Sequence, residues 1–413
     1  MRDVTRVQSG DPPGRRSFER LLMANLWRSL AGMLGVMQVL VIHWLAVVVL
    51  GREGLGLGPG LGLGVVLVVL NLATVPVLRR ARMRGGGGRR GSRLYMAVGI
   101  STLLVGFAVA ASWLGIFPLT SLLAWLGLGS APAFTLFRVL SLLLVGAVAF
   151  AVLWAFTGGQ KKVDRTLVQI PIEALPDEHS GLRLGHLTDL HIGNGLEGEA
   201  LDAMVRDAND LDVDALVLTG DLFDFDPAYV EDGARRLGGL RAPLGVFAVL
   251  GNHDTYTGTD RVVEALREHA PGIRLLRNEY VALPVSGPPL YLAGVEDPGR
   301  GWNNRDLHLE ALEELASRIP QDGPVLLLVH RPQAFPQAAR LGFPLVLAGH
   351  THGGQLALPI WNGSINLSRI MTRFTRGLYH MNGCTLYVNR GIGVAGPAVR
   401  FSCAREIATL ELA

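Results

Sequence analysis

At 413 residues the chain is long enough for more than one domain. Hydrophobic residues make up 49% and charged residues only 18%, which argues against a wholly soluble protein and for membrane segments. The net charge is only +3, and many of the arginines lie beside apolar runs, so the expected contact is with membrane lipids; no aromatic-interleaved basic stripe supports a nucleic-acid partner.

In chain order, a basic tail (residues 1–28) precedes a membrane region (residues 29–160). Four apolar runs, residues 29–50, 61–78, 95–116 and 139–156, are each about long enough to cross a bilayer as a helix. Residues 119–137 are also apolar, but Pro118, Pro132 and several glycines interrupt them, so a loop or re-entrant segment is predicted there. Gln38 and His43 fall inside the first run and suit interhelical hydrogen bonds. The glycine-rich stretch at 54–60 lacks the preceding strand and the lysine of a phosphate loop. Arginines crowd the tail and the loop around Arg89, Arg90 and Arg93, and Lys161 and Lys162 follow the fourth run. The positive-inside rule then places both termini in the cytoplasm of a multi-pass protein of a bacterial inner or plasma membrane. A fifth span at 119–137 would move the C-terminal domain outside.

From residue 161 to 413 the pattern changes to short apolar runs alternating with amphipathic stretches. Strands are predicted at 182–187, 215–219, 245–250, 290–294, 325–329, 345–348, 385–389 and 406–412. Helices are predicted at 197–210, 227–240, 260–269 and 306–318, and the alternation implies an α/β domain with sheets covered on both faces. Cys384 and Cys403 form no CxxC pair and are expected to be free, partly buried thiols.

Five of the predicted strands end in chemistry. The first runs into Thr188-Asp189-Leu190-His191, the second into Gly220-Asp221-Leu222-Phe223-Asp224 and the third into Gly251-Asn252-His253-Asp254. Two later strands run into His330-Arg331 and Gly349-His350-Thr351-His352. Ligands bind at the carboxyl ends of strands in open α/β sheets. One polar residue there is usually a turn cap; five sets of carboxylate, amide and imidazole are metal ligands. Two neighbouring cations repel, so an anionic bridge is needed, and a carboxylate can supply it. Gly220, Gly251 and Gly349 would let backbone come close to the ions. His186 shares a strand with the first motif and is read as structural. Arg331 is left open between a phosphate contact and packing.

The ordered set Asp-x-His, Gly-Asp-x-x-Asp, Gly-Asn-His-Asp, His and Gly-His-x-His resembles the calcineurin-like metallophosphoesterases from residue 182 to the C-terminus. The segments GHTHGGQ at 349–355, GVED at 294–297 and YVNRGIG at 387–393 further resemble the YkuE-like bacterial branch. The resemblance implies a two-sheet sandwich flanked by helices and two divalent ions, with manganese, iron, zinc or magnesium all suitable. It implies that Asp189, His191, Asp221 and His352 hold one ion, and that Asp221, Asn252, His330 and His350 hold the other. His253 would approach the phosphate and protonate the leaving group, while Asp224 and Asp254 would orient ligands. The implied reaction is hydrolysis of a phosphodiester, pyrophosphate or phosphomonoester by a metal-activated hydroxide. A lipid-linked substrate suits the membrane region. The alternatives are a nucleotide-linked acyl-sugar pyrophosphatase of the lipid A type and a non-catalytic membrane scaffold. Oligomeric state is not legible.

Overall fold

The computed structural model describes residues 13–83, 87–173, 175–299, 308–357 and 365–413. The first twelve residues of the basic tail, Arg84 in the basic loop and the start of the helix predicted from residue 306 lie outside the described residues. The chain divides into two compact units, Met1–Leu153 and Trp154–Ala413.

The first unit is helical, as it must be where no water can satisfy the backbone. Helix α1 (Pro13–Trp44) continues through a π-helical turn at Leu45–Val49, and α2 covers Leu57–Met83. Helix α3 (Gly87–Ala111) continues through a π turn, α4 (Phe117–Leu123) and a second π turn, and α5 spans Ser130–Thr157. Four stretches are long and apolar enough to cross a membrane: Arg28–Val49, Leu57–Leu78, Gly91–Leu128 and Ser130–Thr157.

This corrects the reading of residues 119–137 as a loop. The segment is helical up to Leu126, breaks at Gly127 with φ 112° and Gly129 with φ 83°, and resumes as the start of α5. Pro118 is tolerated because it sits in the first turn of α4, directly after a π turn that absorbs the missing amide bond. Pro132 likewise falls in the first turn of α5. Gln38 Oε1 does accept an interhelical bond, from Asn71 Nδ2 at 2.9 Å, and Tyr95 donates to Asn71 Oδ1 at 2.9 Å. His43 instead packs its ring against Trp113, with centroids 5.6 Å apart.

The second unit holds two six-stranded sheets. Its strands are β1 (Val163–Ile170), β2 (Arg183–Leu187), β3 (Ala215–Thr219), β4 (Val246–Val249), β5 (Ile273–Leu275), β6 (Glu279–Ala282), β7 (Tyr291–Val295), β8 (Val325–Val329), β9 (Leu345–Ala348), β10 (Gly377–Met381), β11 (Cys384–Val388) and β12 (Arg405–Leu412). One sheet has the order β1-β12-β2-β3-β4-β5, the other β10-β11-β9-β8-β7-β6. Helices α6 (Glu199–Asn209), α7 (Val230–Leu237) and α8 (Asn252–His269) follow strands of the first sheet. Helices α9 (Leu309–Arg318) and α10 (Phe335–Arg340) follow strands of the second.

The alternation along each strand builds the layers. In β3, Ala215 and Val217 join Leu326, Leu328 and Leu347 in a core between the sheets, while Leu216 and Leu218 pack under α6, α7 and α8. In β8, Leu327 and Val329 pack outward with Phe335 and Leu312. The result is a four-layer α/β/β/α sandwich. Strands β2, β3 and β4 run parallel in one sheet and β7, β8 and β9 in the other. Their carboxyl ends therefore gather along one edge, where the motif residues lie.

Gly294 of the GVED motif faces the opposite sheet at close range. A methyl group there would lie 2.7 Å from Val249 Cγ1 on the opposite sheet and would collide with the Leu276 side chain. Overpacking of this kind costs about 1–3 kcal/mol. Gly294→Ala should therefore lower the melting temperature by roughly 2–10 °C, measured by thermal denaturation of the purified chain. An unchanged melting temperature would show that the sheets part without cost at this point.

Candidate metal centre

The edge where the strands end is built from strained backbone. Asp189, His191, Asp221, His350 and His352 all have positive φ, between 48° and 69°. Such angles are uncommon outside glycine and persist only where the surrounding structure enforces them. The enforcement is visible. Asp189 N–H donates to Gly220 O and His191 N–H to Asp221 O, each at 3.0 Å, so the β2 loop is laced to the β3 loop. Gly393 N–H donates to Asp189 O at 2.7 Å. A side chain at Gly251 would collide with the Asp221 carboxylate, and one at Gly349 with Thr188 and Asp189. Gly220 has φ 88° and faces Gly251 and His330. The three glycines thus act by close approach, and only Gly220 by a positive φ.

Among the described residues the side chains converge in two adjoining groups, Asp189–His191–His352 and Asp221–His330–His350, joined by a third of His191, Asp221 and His253. His191 Nε2 lies 3.0 Å from His352 Nε2, and His352 Nε2 lies 3.5 Å from Asp189 Oδ1. In the other group His330 Nε2 lies 3.1 Å from His350 Nδ1 and 3.2 Å from Asp221 Oδ2. Asp221 Oδ2 is also 3.6 Å from His191 Nε2, so one carboxylate oxygen stands between the groups. Two ligands about 2.1 Å from one ion at tetrahedral or right angles are about 3.0–3.4 Å apart. The observed spacings fall in and just above that range.

The donors are also prepared for a cation. His330 Nδ1–H donates to Thr219 O at 2.8 Å, which turns Nε2 toward Asp221. Asn252 Oδ1 is buried without a hydrogen-bond partner, as is His350 Nε2. An orphaned buried amide oxygen is costly unless something binds it. A divalent ion fits these residues. Manganese, iron, zinc and magnesium all accept such oxygen and imidazole donors.

The remaining predicted residues surround this edge. Asp224 Oδ1 accepts from His191 Nδ1 at 3.1 Å and from His253 Nδ1 at 2.8 Å. One carboxylate thereby sets the tautomer of both rings. His253 N–H donates to Asp221 Oδ1 at 2.8 Å, and its side chain keeps 15% exposure, while His191, His330 and His352 are buried. Asp254 accepts from the amides of Gly251, Leu222 and Phe223 and joins the β3 and β4 loops. His186 lies between the sheets, bonded to Thr219 Oγ1 at 2.8 Å and packed on Tyr387; burial pushes its pKa down to about 3. Arg331 is buried and paired with Asp297 of GVED. Cys384 and Cys403 are free and buried.

Electrostatics match a site that expects positive charge. Burial works against the Asp221 carboxylate, but His330, His253 and His191 hold it well below the usual carboxylate range. Burial likewise opposes a charged His330, yet Asp221 and Asp189 draw it up to about 10. Burial lowers His350 and His352 well below the ordinary imidazole value, reinforced by His330 and His191 respectively. Burial and the Asp221 charge raise Asp254 to about 7 despite its three amide donors.

One residue that supports the site, Arg400, carries no signal in the sequence, and two others lie within its motifs. Arg400 is fully buried and donates to the carbonyls of Arg390, Gly391 and Gly393 at 3.0, 3.0 and 2.6 Å. It thereby holds the YVNRGIG loop against Asp189 and His352. Asn389 Nδ2 donates to His186 O at 2.8 Å and fixes the same loop from the other side. Thr188 Oγ1 donates to Asp189 Oδ2 at 3.0 Å.

Comparison with known proteins agrees with this site. The sequence pattern of the calcineurin-like phosphoesterases matches residues 182–354. A transmembrane protein with metallophosphoesterase domain from Danio rerio is 34% identical over 292 residues, covering 66% of this chain and 62% of that protein. The metallophosphoesterase YkuE of Bacillus subtilis is 30% identical over 253 residues, covering 60% of this chain and 85% of that protein. A metallophosphoesterase of Aquifex aeolicus is 31% identical over 232 residues, covering 56% and 84%. The chain thus spans less than two thirds of the Danio rerio relative and most of the two bacterial ones.

If Asp221 is the residue both groups depend on, a divalent ion should stabilise the wild-type chain and not Asp221→Ala. Manganese added to chelator-treated protein should raise the melting temperature of the wild type by several degrees and leave the variant unmoved. His191→Ala should keep part of the rise. An equal rise in Asp221→Ala and wild type would remove Asp221 from the centre.

Proposed function

We propose, from the premise that this chain belongs to the calcineurin-like metallophosphoesterase family, that it is a membrane-anchored phosphoesterase working with two divalent ions. Asp189, His191 and His352 would hold one, and Asn252, His330 and His350 the other, with Asp221 shared. The observation that carries this reading is the position of Asp221 Oδ2, 3.6 Å from His191 Nε2 and 3.2 Å from His330 Nε2. Bound there, the ions supply a nucleophile from water at neutral pH and draw charge off phosphoryl oxygens.

The chain's own residues do the rest. Asp224 accepts a hydrogen bond from His253 Nδ1–H, so the His253 Nε2 is the atom left to face the substrate. Protonated there, it donates to the leaving oxygen as the ester bond breaks. His350 turns Nδ1 to the centre and leaves Nε2 as a donor for a phosphoryl oxygen. The substrate class is a phosphodiester, pyrophosphate or phosphomonoester, with a lipid-linked one preferred because the same chain carries four apolar helices. We place the phosphoesterase unit in the cytoplasm, because arginines crowd the loop between the second and third spans and Lys161 and Lys162 follow the fourth.

The full chain should hydrolyse bis(p-nitrophenyl) phosphate only with a divalent metal present; turnover that persists after chelation and dialysis would overturn the reading. His253→Ala should keep its metal content and lose about 10²–10⁴-fold in turnover on alkyl esters. The loss on nitrophenyl esters should be smaller, since that leaving group needs little protonation. Equal losses would assign His253 to the phosphoryl oxygens instead. For orientation, a cysteine introduced at Glu197 should resist a membrane-impermeant thiol reagent in intact cells and react after lysis. Labelling before lysis would place the unit outside.

A further inference from the structure

A cavity of about 590 Å³ lies within the second unit, apart from the metal centre. Its walls include Trp154 and Gly158 from the last turn of α5 and the residue after it, Lys162 just beyond, and Arg376, Arg390 and Phe401. The apolar span ends at Thr157. Tryptophan and lysine just past an apolar span are the residue types that concentrate at the level of lipid headgroups.

The charges in this cavity do not cancel. Arg390 is paired with Asp164 and Glu406, and Lys162 shares Asp164. Arg376 touches no carboxylate among the described residues; its Nη1 donates only to Ser402 O, at 3.3 Å. Three cations therefore meet two carboxylates, and the unmatched one is a guanidinium, whose fork suits phosphate oxygens. Trp154, 54% exposed, and Phe401 supply apolar wall beside it. On the segment leading to Arg376, Ile370 is 81% exposed, and Arg369 and Arg373 flank it. Apolar tips between arginines are suited to an anionic bilayer surface.

We propose that this cavity binds the phosphate headgroup of an anionic phospholipid, with Arg376 and Lys162 on the phosphate and Trp154 beside the upper acyl chain. The ligand is distinct from the substrate of the metal centre. The site also adjoins that centre through Cys403, which lines the cavity and whose Sγ donates to His352 O at 3.1 Å. A phosphate monoanion free in solution offers the same charge, but it would leave the aromatic wall uncovered.

The test is lipid retention by the full chain, purified in detergent, delipidated and examined by native mass spectrometry. Phosphatidylglycerol should be retained about 10-fold better than phosphatidylcholine. The Lys162→Gln/Arg376→Gln double variant should lose that preference while keeping its metal content and its hydrolysis of bis(p-nitrophenyl) phosphate. If the double variant does not fold, Arg376→Gln compared with Arg376→Lys serves instead, with the lysine retaining most of the preference. Equal retention of both lipids by wild type would overturn the proposal, as would unchanged retention by the variants. Displacement of phosphatidylglycerol by inorganic phosphate would make this a site for free phosphate and overturn the lipid assignment. Because the readout is binding, it stands or falls independently of the reaction at the metal centre.

Discussion

Asp221 is almost without solvent exposure and is set between two imidazoles that belong to different sheets. Burying a carboxylate is tolerable only if positive charge or strong donors compensate it. Here the compensation comes from His191 on the β2 loop, His330 after β8 and the amide of His253 at the start of α8. Three separate strand ends must therefore meet at one carboxylate. That requirement fixes how the two sheets align at their carboxyl edge, and the rest of the centre follows from it.

Meeting there is costly for the backbone. Five ligand-type residues with positive φ would each be a destabilising choice in isolation. The strain is borne by elements that contribute nothing to the chemistry directly. Asp254 ties together the loops after β3 and β4, while Asn389 and Arg400 pin the loop after β11. Two of the buried polar atoms left without a partner, Asn252 Oδ1 and His350 Nε2, lie on residues of the centre itself. At the centre, strained backbone and unpartnered polar atoms thus occur side by side, as they do where a fold is shaped around a ligand it must receive.

This distribution also explains what the sequence made legible. The buried strands β3, β8 and β9 announce themselves as short runs mostly of leucine, valine and alanine, because both of their faces are covered. Their terminal Asp and His residues stand out for the same reason, as polar groups after an apolar run. Strand β1, by contrast, alternates exposed and half-buried residues through VDRTLVQI, so it lacks the apolar run that marks the buried strands. Strands β5, β6 and β10 are short and lie at or beside sheet edges, and were equally silent. Residues 119–128 were misread because proline was taken as a stop, whereas a proline in a first turn after a π bulge is compatible with a continuing helix. Arg400 was invisible because a buried arginine bound to carbonyls has no local pattern; its partners are fixed only by the folded loop.

Arg400 shows how closely the anchor and the chemistry are joined within the second unit. Its side chain, fully buried and in no ion pair among the described residues, is held mainly by carbonyl dipoles, and burial lowers its pKa to about 10. Those carbonyls belong to the loop that packs on Asp189, and Nη2 also reaches His352 Nδ1 at a long 3.4 Å. Its own amide donates to Ala155 O in the last turns of α5. A single residue therefore bonds to the end of an apolar span, to the loop behind Asp189 and to an imidazole of the centre. A guanidinium desolvated to this degree is held only while all of its acceptors stay in place. Displacing the helix end would withdraw support from the loop, and loosening the loop would expose the charge. Within the second unit, the short stretch from Trp154 to Thr157 thus belongs to the same bonded assembly as the loop that supports Asp189.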